Sequence, residues 1–133
     1  GTMDALRMAA GTLSLVGDEP GDGTAPLLDQ AQAIVARMPT IVAAYARLRA
    51  GSEPVAPDPT LGHAANYLYM LTGAAPDAET ARALETYFNT VVDHGMNAST
   101  FTARVVVSTR SDLVSAIVAA IGALKGPLHG GAP

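Results

Sequence analysis

Asn97-Ala98-Ser99-Thr100-Phe101-Thr102-Ala103-Arg104-Val105-Val106-Val107-Ser108 is the stretch on which the fold class turns. Its three consecutive valines are β-branched and fit a strand as readily as a helix. A strand needs partners, however, and no other segment of the chain offers one. Asn97 or Ser99 supplies a side-chain oxygen able to cap a helix that starts here. Read as a helix, the stretch makes the whole chain all-α.

The segments on either side carry helical spacing. Downstream, Ser111 is placed to cap a helix whose stripe is Leu113, Ala116, Ile117, Ala120, Ile121 and Leu124. Lys125 falls in its final turn, where a cation suits the helix dipole, and Gly126-Pro127 stops it. Upstream, residues 77–92 set Leu84, Tyr87, Phe88, Val91 and Val92 on one face. Residues 61–72 form a shorter helix carrying His63, Asn66, Tyr67 and Met70, closed by Gly73. Residues 52–60 hold three prolines and read as an extended connection.

Further back, residues 27–38 follow Pro26, placed as a first-turn proline, and show Ala31, Ile34, Val35 and Met38 on one face. Pro39 is expected to break or kink that helix, with a second run from 40 to 50 ending at Gly51. Residues 3–16 align Leu6, Ala10, Leu13 and Val16, and residues 17–25 form an acidic, Gly-rich loop. The expectation is about seven helices, no sheet and no internal repeat.

Composition narrows the function classes. Apolar residues make up 49% of the 133, enough for a core, but aromatics only 5%. Small side chains must therefore supply much of the helix packing. The net charge of −4 and the scattered Lys and Arg argue against a nucleic-acid backbone as partner. Cysteine is absent, so no disulfide or thiolate metal site can form, and a cytoplasmic setting fits. No apolar run reaches the roughly 18 residues of a membrane span.

Three histidines carry the candidate chemistry. His94 lies in Asp93-His94-Gly95, just ahead of a helix start. There the helix dipole disfavours imidazolium, and a neutral ring can donate an N–H to a developing enolate oxygen. The plain alternative is a helix-terminal histidine bonded to a carbonyl. His129 lies in Gly126-Pro127-Leu128-His129-Gly130-Gly131-Ala132, where glycines let backbone or ligand approach; a simple turn is the alternative. His63 could equally be an interior histidine. Arg104 and Arg110 follow the motif and read as surface charges, with contact to an anionic ligand as the alternative, and Asp93 reads as a solvated carboxylate. The histidines lack tight metal-ligand spacing, so no metal site is expected.

Together these motifs resemble the citrate synthase family. The pair Asp93 to Thr100 and Ser108 to Ala132 matches its two histidine motifs. Met3-Asp4-Ala5-Leu6-Arg7 is similar to a family helix reading HPMDVLR. Met38-Pro39-Thr40-Ile41 looks like its MPTI-type kinked helix, and His63 to Met70 like its HAxNFLxM segment. The likeness runs through nearly all of the chain in the family order. One departure is Gly95, where many members have Glu.

The resemblance implies a multi-helical, citrate-synthase-like bundle. Residues 1–95 would be part of the large helical domain. Residues 96–133 would continue through the two histidine motifs into the start of the small domain. It implies condensation of an acyl-CoA with oxaloacetate, then thioester hydrolysis, giving citrate and CoA. Acetyl-CoA is the expected donor. Propionyl-CoA, giving 2-methylcitrate, or a non-catalytic helical dimerisation module are the alternatives. His94 would stabilise the enolate, His129 would polarise and protonate the ketone, and His63 would help hold oxaloacetate. Acyl-CoA enters as substrate, no cofactor or metal is implied, and a homodimer is the expected assembly. The family's proton-abstracting aspartate and carboxylate-binding arginines follow the His129 motif. The 133 residues alone are thus expected not to catalyse the reaction.

Overall fold

A computed structural model describes residues 1–15, 27–93 and 95–130. Every regular element among them is helical: α1 (Thr2–Gly11), running into a 3-10 turn (Thr12–Leu15), then α2 (Leu27–Arg49), α3 (His63–Thr72), α4 (Ala78–Val91), α5 (Ala98–Ser108) and α6 (Leu113–Leu124). The all-α expectation holds, and the valine triplet is helical within α5. Val16, the 17–25 loop, Pro26 and His94 lie outside the described residues.

The chain divides into two compact units, one from residues 1–38 and 95–133, the other from 39–94. In the first, α6 packs against both α1 and α5. Leu13, Ile34 and Val114 form its buried core, with Met38, Leu113, Ile117 and Val118 packed against them. Small residues allow α1 and α6 to meet closely. A methyl group added at Gly11 would already touch Val118. Lys125, at the C-cap of α6, pairs with Asp4 of α1. That ion pair and the N-terminal ammonium hold the exposed Asp4 carboxyl below its ordinary range.

In the second unit α3 packs on α4. Arg47, near the end of α2, donates from Nε to the Glu53 carbonyl at 2.6 Å and from Nη1 to the Leu71 carbonyl at 3.3 Å. One planar guanidinium thus joins the ends of α2 and α3 and satisfies an orphan helix carbonyl. Gly51 and Gly73 close their helices with φ of +73° and +85°, the left-handed conformation that glycine adopts without steric cost.

Two sequence expectations are corrected. Of the break or kink expected at Pro39, the break does not occur: α2 is continuous over 23 residues with Pro39 inside it. Proline forfeits one backbone bond, and helical residues on both sides carry the turn through. The division between the two units falls at that same residue. The cap of α6 is Asp112 rather than Ser111, its carboxylate accepting from the Ser115 N–H at 2.8 Å. The amphipathic helix expected over 77–92 is α4, and it buries none of its residues; Tyr87 is 59% and Val92, at its C-cap, 82% exposed. No helix among the described residues is long and apolar enough to cross a membrane.

Candidate functional site

The turn after α6 is held by its own backbone. Gly126 N–H reaches the Ala123 carbonyl at 3.0 Å, His129 N–H the Gly126 carbonyl at 3.0 Å, and Gly130 N–H the Leu124 carbonyl at 3.1 Å. The bonds to Ala123 and Leu124 use carbonyls left over at the end of α6. A β-carbon at Gly130 would collide with the Leu124 carbonyl oxygen and side chain. Glycine there lets the backbone itself come close, one of the two roles its position suggested.

The start of α5 is built just as tightly. Asn97 is its N-cap, and its Oδ1 accepts from the Thr100 N–H at 2.9 Å and from the Ser99 hydroxyl at 2.7 Å. Ser99 Oγ in turn lies 3.0 Å from His129 Nε2. Two segments 30 residues apart are thereby joined, and the second histidine motif folds onto the residues that follow the first. Ser99 and His129 are both half-buried, so the contact is partly shielded from water.

His63 opens α3 directly after its N-cap, Gly62. Its ring meets that of Phe88 on α4, centroids 5.8 Å apart and planes tilted by 58°, the tilted geometry aromatic pairs favour. His63 remains exposed, not interior. His94 falls outside the described residues, whereas Asp93 before it is exposed, and Gly95 after it takes φ +64°. Arg104 and Arg110 are exposed, as expected of surface charges. Among the described residues, no group of three or more His, Cys, Asp or Glu side chains could hold a metal ion.

Two contributors escaped the sequence reading. Ser99 registered only as a capping candidate, and Phe88 only as part of an apolar stripe. Each becomes visible as the partner of a histidine only when distant segments are brought together.

A family model described as "Citrate synthase, C-terminal domain" matches residues 1–133. The chain is 49% identical over 132 residues to a citrate synthase of Deinococcus radiodurans, covering 98% of this chain and 35% of that protein. It is 46% identical over 132 residues to a 2-methylcitrate synthase of Mycobacterium tuberculosis, covering 98% of this chain and 33% of that protein. The crystal structure of citrate synthase from Thermotoga maritima superposes with a TM-score of 0.78 at 39% identity, over 98% of this chain and 33% of that one. The chain thus spans about a third of the length of these relatives. The chain belongs to the citrate synthase family.

Proposed function

We propose that this chain carries the histidine motifs of an enzyme that condenses an acyl-CoA with oxaloacetate and then hydrolyses the thioester. The contact between His129 and Ser99 carries the reading, because it seats one motif histidine on the other motif's helix. In this reading the base is an aspartate supplied by the family's later sequence. His94 stabilises the enolate at the thioester oxygen, His129 polarises and protonates the ketone, and His63 helps hold oxaloacetate.

The physical need for each is plain. A thioester's α-proton is too weakly acidic for a carboxylate to remove unless the developing oxyanion is stabilised. Holding both substrates in one cleft supplies the orientation. No metal or prosthetic group enters, and acyl-CoA is consumed as substrate. Acetyl-CoA is the donor in the leading version. Propionyl-CoA is the alternative, supported by similarity to the mycobacterial 2-methylcitrate synthase. A single methyl alters recognition by only about 1–3 kcal/mol, so both donors belong in the assay.

Residues 1–95 fall to the large domain in this reading, with 96–133 leading into the small one. A homodimer completes it, and the open apolar faces of α1 and α4, with Met8 72% and Tyr87 59% exposed, support that assembly.

The test is CoA release by the full-length protein, followed with a thiol dye, with oxaloacetate and either donor. Replacing His129 by Ala is expected to lower turnover at least about a hundredfold, as loss of a general acid does. Unchanged turnover would sink the assignment.

A further inference from the structure

We infer that Ser99 is a positioning residue for His129, selecting the ring tautomer that carries its proton on Nε2 and leaving Nδ1 for substrate. The inference rests on the reading of His129 given above, but its structural half stands by itself.

The proton bookkeeping leaves one solution. The Thr100 N–H can only donate, so the Asn97 atom that faces it at 2.9 Å must be the carbonyl oxygen. That oxygen can only accept, so the Ser99 hydroxyl, 2.7 Å away, donates its single hydrogen to it. Ser99 Oγ then has only lone pairs to offer His129 Nε2 at 3.0 Å. Nε2 therefore bears the hydrogen. Nδ1 makes no hydrogen bond among the described residues. The chain of bonds starts at a helix cap, a rigid anchor, so the ring is oriented as well as protonated in a defined way.

The chemical consequence follows. When the enolate carbon attacks the oxaloacetate ketone, a carbon–carbon bond forms and the carbonyl π pair moves to oxygen. That oxygen takes the proton from Nδ1 of the imidazolium. The ring that remains is the neutral Nε2–H form, the one Ser99 favours. Ser99 accepts from Nε2–H in both the imidazolium and the neutral ring, so it decides that Nδ1 is the nitrogen that gives up its proton, without touching substrate.

The experiment uses full-length protein labelled with 15N-histidine and long-range proton–nitrogen correlation spectra of the imidazoles. His129 is assigned by its loss in His129→Ala. In the neutral ring, His129 is expected to show a pyrrole-type Nε2 and a pyridine-type Nδ1. Ser99→Ala should mix the tautomers, and Ser99→Thr should restore them. In CoA release, Ser99→Ala should lower kcat at least about tenfold with little change in the acyl-CoA KM. Adding Ser99→Ala to His129→Ala should cause no further loss.

A wild-type ring protonated on Nδ1, or a tautomer indifferent to Ser99→Ala, overturns the inference. So does additivity of the two substitutions. If the tautomer behaves as stated but His129→Ala leaves turnover intact, the catalytic reading of His129 has failed instead. The role of Ser99 then reduces to structure.

Discussion

Asn66 closes on Asp58 from two sides. Its Nδ2 donates to the Asp58 carbonyl at 2.7 Å, and its Oδ1 accepts the Asp58 N–H at 3.0 Å. One amide side chain thereby replaces the backbone partner that the proline-rich connection before α3 cannot supply. The same connection leads into His63, so Asn66 anchors the approach to a candidate substrate ligand.

Replacing Asn66 by Ala should strip both bonds and cost on the order of 1–3 kcal/mol, because two half-buried backbone groups lose their partner. Asp at this position keeps the acceptor and loses the donor, so it should fall between. Guanidinium midpoints of the three proteins check this; indistinguishable midpoints would refute the anchoring role.

Gly51 and Gly73 both have positive φ but differ in surroundings. An added methyl meets nothing at Gly51, whereas at Gly73 it would lie 3.3 Å from Arg47 Nη1. Gly51→Ala should cost only the backbone term, roughly 1–2 kcal/mol. Gly73→Ala should cost more, because Arg47 is tied to two carbonyls and has little room to yield. Equal thermal stabilities would show that Arg47 adapts freely.

Gly130→Ala tests the turn that carries His129. The new methyl cannot fit against Leu124 without moving the turn. A displacement of about an ångström in a reacting group costs on the order of a hundredfold. Turnover should fall at least about tenfold, while the circular dichroism of the helices is retained. Full activity in the variant would mean that the turn can open without consequence.

Acid stability should report on the helix caps. The Asp77 and Asp112 carboxyls are held below their ordinary 3.8, Asp77 by the Thr80 N–H and hydroxyl, Asp112 by the Ser115 N–H and hydroxyl. A carboxyl lowered in the folded state contributes stability that is fully present above its unfolded value. That contribution is lost as pH falls through the lower folded value. Wild type should therefore lose stability from about pH 4 downward. The variant with both Asp77→Asn and Asp112→Asn keeps neutral caps and should lose less over the same range. Parallel pH curves for the two proteins would contradict this.

Much of the fold was legible in local pattern. The apolar spacing of α6, the Asn97 cap and the Gly73 stop are set by side chains within a few residues of one another. For that reason the helical reading of Val105-Val106-Val107 held: the cap before it and the lack of a partner strand outweigh valine's mild bias. Where local signals competed, they misled. Ser111 and Asp112 both suit a cap, and the carboxylate that reaches the Ser115 N–H decides. Pro39 reads as a break or kink because its cost is local, and the 23-residue helix around it runs on without the break.

The amphipathic face of α4 shows a different limit. Spacing fixes which side of a helix is apolar, but not what covers it, and in this chain Tyr87 and Val92 stay exposed.

The sequence by itself determined the all-helical class, the family motifs and the three histidines, because these depend on short-range spacing and residue chemistry. The tertiary structure alone decided that His129 meets Ser99, that His63 meets Phe88, and which glycines admit backbone rather than ligand. Such pairings join residues 25 and 30 positions apart, His63 with Phe88 and Ser99 with His129. They depend on how packed helices place their ends, which no local pattern encodes.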